Sequence, residues 1–131
     1  MHKIKTALIG TGKVAHLHAA ALNNASKSEF VAVWNRTFER GQKFAEQHNV
    51  HAYAEIEEMI VTESVEGVII GTTHPTHAAT AIAAMKAGAH VLIEKPMASS
   101  LKDCDAMISA AKKYNKKIIN LSNSIKTLKL I

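Results

Sequence analysis

Cysteine, aromatic side chains and long apolar runs are all scarce in this chain of 131 residues, and each shortage excludes something. Cys104 is the only cysteine, so no intrachain disulfide can form, and a reducing cytoplasm is the expected compartment. No apolar run approaches the roughly 20 residues that span a bilayer. Met1-His2-Lys3 leads straight into an apolar stretch, so neither membrane insertion nor a targeting leader is expected. Acidic residues are outnumbered, 11 against 16 lysines and arginines, for a formal charge of +5. Part of that excess is local, in Lys112, Lys113, Lys116, Lys117, Lys126 and Lys129. With aromatics at 5% and no recognisable DNA or RNA module, nucleic acid is not an expected partner; a solvated helix end and tail account for the lysines.

What is present describes a globular domain with one core. Apolar residues make up 47% and charged ones 21%. Short apolar runs at 4–9, 30–34, 51–53, 67–70, 90–93 and 117–120 read as strands. Between them, helices are predicted at 13–24, 38–48, 55–61 and 75–87, the last stopped by Gly88. Val14, Leu17, Ala21 and Leu22 form the expected buried face of the first. A further helix starts at a Ser99 or Ser100 cap, with Leu101, Cys104, Met107, Ile108, Ala111 and Tyr114 as its apolar stripe. On that stripe Cys104 is expected to be a buried, inert thiol. Strict alternation of strand and helix predicts an α/β fold, a doubly wound parallel sheet of Rossmann type in the order 3-2-1-4-5-6. The domain occupies residues 1–120, followed by an atypical tail at 121–131.

Polar motifs fall at the strand ends, where such a sheet binds ligands. Gly10-Thr11-Gly12-Lys13-Val14-Ala15 follows the first strand as a G-x-G-x-x-A turn. Gly10 suits the tight turn, Gly12 a close approach of backbone to a pyrophosphate, and the next helix offers free N–H groups and a positive dipole end. Asn35-Arg36 ends the second strand, Thr72-Thr73-His74-Pro75 the fourth and Glu94-Lys95-Pro96 the fifth. His74 and His77 lack a cysteine or carboxylate at ligand spacing, so no metal site is expected. His16 and His18 cannot share a helical face and read as structural or exposed, His16 with a route to the cofactor site left open.

The stretch Ala87-Gly88-Ala89-His90-Val91-Leu92-Ile93-Glu94-Lys95-Pro96-Met97-Ala98 resembles a signature of the glucose–fructose oxidoreductase, inositol dehydrogenase and MocA-type family. Gly71-Thr72-Thr73-His74-Pro75-Thr76-His77 is similar to that family's strand-four motif. The resemblance covers residues 3–119 and implies the nucleotide-binding half of an enzyme. Such enzymes transfer hydride between a nicotinamide and the carbinol carbon of a sugar, polyol or related substrate. It implies that Gly10, Thr11, Gly12, Lys13 and Val14 hold the pyrophosphate and that Thr72, Thr73 and His77 line the bridge toward the nicotinamide. It places Glu94 and Lys95 near the nicotinamide and the substrate, with Lys95 contributing to the chemistry by hydrogen-bonding the reacting oxygen.

At the end of the second strand, Asn35 carries no charge to repel a 2′-phosphate, while Arg36 and Arg40 can bind one. NADP is therefore expected over NAD, with Glu39 as the carboxylate that would instead serve a free ribose. The family pattern continues into a second α+β domain carrying the substrate pocket. Here the segment from Asn120 to Ile131 departs from that pattern, so the expectation is a truncated form that binds cofactor with little turnover alone. A stand-alone nucleotide-binding or redox-sensing module is the competing expectation, and self-association through uncovered surface a further one.

Overall fold

Among the described residues, strands β1 (Ile4–Ile9), β2 (Ser28–Trp34), β3 (His51–Tyr53), β4 (Gly67–Ile70), β5 (His90–Glu94) and β6 (Ile118–Leu121) alternate with five helices. These are α1 (Ala15–Asn24), α2 (Phe38–His48), α3 (Ile56–Glu63), α4 (His77–Ala87) and α5 (Leu101–Tyr114). The structure is a computed structural model and describes residues 3–72, 77–94 and 100–121. All six strands pair in parallel as one sheet in the order β3-β2-β1-β4-β5-β6, the expected doubly wound arrangement.

Side-chain alternation sorts the core onto two faces. Ala7, Ile9, Val68, Ile70, Val91 and Ile93 point to one face and meet Met59, Ile60, Ala84, Met85 and Met107 of α3, α4 and α5. Leu8, Val33, Ile69 and Leu92 point to the other and meet Ala15, Ala19 and Leu22 of α1 with Phe44 and Ala45 of α2. Burial on both faces explains why the central strands are continuously apolar rather than alternating. Each fully buried aliphatic side chain contributes roughly 1.5–3 kcal/mol.

One strand breaks step. Between Thr6 and Ala7 the β1–β2 register shifts, from Thr6 opposite Phe30 to Ala7 opposite Ala32. Val31 is the extra residue, and it packs with its neighbour Ala32 on the same face.

Two predicted helix faces need correction. On α1, Leu17 is 71% exposed and Val14 is exposed, whereas Ala15, His18, Ala19, Ala21 and Leu22 are buried. Small side chains let this helix lie close to β1 and β2, so proximity rather than hydrophobicity decides which face turns inward. On α5, Met107 and Ala110 are buried, whereas Leu101 is 84% exposed and Ile108 is exposed too. Cys104 there is half-buried rather than enclosed. Ser100 is the cap of α5, its hydroxyl accepting the Asp103 N–H at 3.1 Å.

Candidate functional site

The carboxyl ends of β1, β2 and β4 frame a cavity of about 480 Å³ at the point where the winding of the sheet reverses. Gly10, Thr11 and Gly12 supply one wall, Asn35, Arg36 and Arg40 another, and Gly71 and Thr72 a third.

The walls approach closely because of glycine. Gly10 adopts φ +98°, and a Cβ there would stand 2.8 Å from the Gly71 carbonyl carbon and the Thr72 nitrogen. The Gly71 N–H donates to Ile9 O at 2.7 Å, and the Gly10 N–H to Trp34 O at 2.7 Å, so the turn is stitched to both neighbouring strands. Gly12 is different. Among the described residues a Cβ there would meet only Gly71 O, at 4.0 Å, so the missing side chain leaves open space over the cavity. Immediately beyond, Val14 is the N-cap of α1 with no side-chain cap, and no acidic residue occupies the helix's first turn. The helix therefore presents its positive end with no acidic residue of its own there, while the Ala15 and Leu17 N–H groups donate to Gly12 O and Val14 O at 3.0 and 3.1 Å.

Positive charge dominates the β2 wall. Arg36 and Arg40 are exposed, and no ion pair among the described residues engages either one. Among the described residues no carboxylate lines the cavity, and Glu39, exposed on the first turn of α2, is not part of its wall. Asn35 faces inward, accepting the Thr11 N–H at Oδ1 (3.1 Å) and donating from Nδ2 to Thr37 O (2.9 Å).

Other predicted residues stand apart from the cavity. Lys13 and Val14 are exposed and do not line it. His77, at the start of α4, is buried, and its Nε2–H donates to the Thr72 carbonyl at 2.6 Å. It thus braces a residue of the wall instead of forming the wall. His16 turns away altogether: its ring stacks on Phe44 at 4.6 Å and its Nδ1 lies 2.8 Å from His48 Nε2. Burial, then the neighbouring His16, holds His48 below the ordinary histidine value. Thr73, Lys95 and the side chain of Glu94 lie outside the described residues.

Sequence reasoning missed several wall residues. Trp34, Thr37, Ala79 and Thr80 also line the cavity, and Gly41 backs it from inside α2. Gly41 was the findable one, since a glycine within a helical run needs a packing reason. A second cavity of about 350 Å³ lies at the amino ends of the strands, between Glu66, His90, Lys116 and Lys117. It lies at the opposite end of the sheet from the glycine turn, and its lysines follow the C-terminus of α5, where helix carbonyls attract cations. Among the described residues no cluster of three metal-ligating side chains occurs, and no helix is long and apolar enough to cross a membrane.

The glycine cradle, the uncapped helix end and the guanidinium groups, which have no ion-pair partner among the described residues, fit the phosphates of a dinucleotide. Known proteins agree with that geometry. Residues 4–121 match the oxidoreductase family with the NAD-binding Rossmann fold that groups glucose–fructose oxidoreductase, inositol dehydrogenase and MocA. The chain is 36% identical over 110 residues to scyllo-inositol 2-dehydrogenase (NADP(+)) of Bacillus subtilis, covering 83% of this chain and 34% of that protein. In structure it resembles myo-inositol 2-dehydrogenase of Lactobacillus plantarum, with TM-score 0.78, 26% identity, and coverage of 90% of this chain and 36% of that one. Biliverdin reductase of Synechocystis, solved with biliverdin and NADP+, gives TM-score 0.78 and 26% identity over 89% of this chain and 37% of that one. The chain spans about a third of the length of these relatives. By its sheet order, its glycine turn and its match over residues 4–121, the chain belongs to this oxidoreductase family as an NAD(P)-binding Rossmann domain.

Proposed function

We propose that the chain binds NADP(H) in preference to NAD(H), as the cofactor half of an oxidoreductase acting on the carbinol of a sugar, polyol or related substrate. The observation that carries the preference is the β2 wall: among the described residues its two guanidinium groups have no ion-pair partner and no carboxylate stands beside them. Arg36 would clamp the 2′-phosphate through its planar fork, with Arg40 one turn into α2 adding charge. Gly10, Thr11 and Gly12 would hold the pyrophosphate from the wall, with Lys13 and Val14 meeting it from the exposed start of α1, and Thr72 with Thr73 would border the bridge, braced by His77. When bound, the cofactor supplies a hydride acceptor or donor. In the family resemblance Lys95 hydrogen-bonds the reacting oxygen and Glu94 lies beside it.

Trp34 is the only tryptophan and stands in the cavity wall, so its fluorescence reports occupancy. Titration should show tighter binding of NADPH than of NADH. Arg36→Ala should remove roughly 1–3 kcal/mol of that preference. An unchanged NADPH-to-NADH ratio would refute the NADP assignment.

The substrate and the turnover belong to the same proposal. The relatives are about three times longer, and these 131 residues supply the nucleotide side of the site. Cofactor binding with little turnover is our expectation for these 131 residues assayed alone, in a cytoplasmic protein whose substrate is small and polyol-like. Robust polyol oxidation by the chain alone would overturn this.

A further inference from the structure

One side chain joins three segments around the cavity. Asn35 follows β2 directly, and its carboxamide holds the glycine turn through the Thr11 N–H (3.1 Å) and the start of α2 through the Thr37 carbonyl (2.9 Å). A backbone N–H can only donate and a carbonyl can only accept, so these partners allow the amide one orientation. The Thr37 carbonyl is the N-cap carbonyl of α2 and also receives the Arg40 and Gly41 N–H groups, at 3.1 and 3.2 Å. Arg36 sits between the two ends of this brace.

The brace has a prepared seat. A Cβ on Gly41 would lie 3.2 Å from Asn35 Cβ and 3.5 Å from its nitrogen. Glycine disfavours a helix interior, and its presence here is explained by the space that Asn35 occupies. Aspartate at position 35 could still accept from Thr11, but it would set a carboxylate oxygen against the Thr37 carbonyl with no proton between them. An apolar residue could do neither. Arg36 and Arg40 are long, exposed and without ion pairs among the described residues, so the backbone that carries them decides where they point.

We propose that Asn35, seated on Gly41, is the positioning residue for nucleotide selectivity. It fixes the Arg36–Arg40 segment against the glycine turn so that the guanidinium groups meet a phosphomonoester on the adenosine ribose. The inference rests on the NADP(H) reading above. Its ligand class is a dinucleotide carrying that extra phosphate, and its action is through the arginines rather than by contact.

The test is a double-mutant cycle with NADPH and NADH, read by Trp34 fluorescence on wild type, Asn35→Ala, Arg36→Ala and the double variant, with a thermal melt of each. Asn35→Ala should raise the NADPH dissociation constant about 10-fold and that of NADH less than about 3-fold. The double variant should bind NADPH within about 3-fold of Arg36→Ala, because only the placement of Arg40 is then left to the brace. Gly41→Ala keeps every charge and favours the helix, yet crowds the seat. It should reproduce the selective NADPH loss, about 5-fold, without lowering the melting temperature. Equal losses for both nucleotides, multiplying effects in the double variant, or an unaffected Gly41→Ala would each overturn the brace. If Arg36→Ala leaves the nucleotide ratio unchanged, the NADP(H) reading itself falls and the brace with it. If Arg36→Ala collapses the ratio while Asn35→Ala does not, only the brace fails.

Discussion

Gly10 and Gly12 are two residues apart and serve different purposes, which substitution can separate. Gly10 holds a left-handed backbone with two main-chain atoms 2.8 Å from any Cβ, so Gly10→Ala should cost about 3 kcal/mol or more in a urea titration. Gly12 has open space around it, so Gly12→Ala should change stability by less than about 0.5 kcal/mol while weakening NADPH binding severely. At the far edge of the sheet, the Tyr53 hydroxyl donates to Glu63 Oε2 at 2.5 Å, beside the His51 Nδ1 contact at 2.7 Å. Burial, then the bond to Glu63 and its charge, pushes the Tyr53 hydroxyl up from 10.0 to about 12. The folded chain thus retains a proton that the unfolded chain loses, so this contribution is complete below pH 10 and disappears as pH rises to about 12. Thermal melts should show wild type above Tyr53→Phe by a constant margin up to about pH 10, shrinking beyond it. A margin that did not shrink would assign the stabilisation to packing.

Among the elements, α5 shows how far periodicity reaches. Apolar spacing marks the helix, and the Ser100 cap was legible from its residue type, although Ser99 was equally eligible on sequence. Which part of the stripe turns inward was not legible, because it depends on where α4 and the sheet lie. Leu101 and Met107 look equivalent as letters, yet one is 84% exposed and the other fully buried. Leu101→Gln should therefore shift stability by less than about 0.5 kcal/mol, and Met107→Ala should cost roughly 2–5 kcal/mol in chemical denaturation. The same limit explains α1, where alanines rather than Val14 and Leu17 face the strands. In both helices the sequence specifies amphipathicity, while the neighbours choose the angle.

For the whole molecule, strand order and the end of the sheet where the cavity lies were legible together. Alternating elements demand parallel crossovers, and parallel winding puts the ligand at the carboxyl ends, where Gly12, Asn35, Arg36 and Thr72 already stood in the sequence. The links between those motifs were not legible. The amide of Asn35 spans 24 residues to Thr11, and the closeness of Gly10 to Gly71 spans 61; neither leaves a local pattern. A ligand that holds three walls together should stabilise the entire domain. At a hundredfold excess over its dissociation constant, NADPH should raise the melting temperature by roughly 10 °C, and NADH at the same concentration by less. Equal shifts would deny the preference while leaving dinucleotide binding intact.

The additional residue in β2 acts as a phase corrector. Val31 and Ala32 share a face, so Phe30 before them and Val33 after them both reach the α1–α2 side of the sheet. Without that step, a β2 anchored by Phe30 would arrive at its end half a pleat out of phase. The side chains of Asn35 and Arg36 would then exchange directions relative to the glycine turn. Deleting Val31 would preserve every chemical group of the site and scramble their assignment. A length difference of one residue, thirty positions into the chain, would then govern selectivity as firmly as any charge.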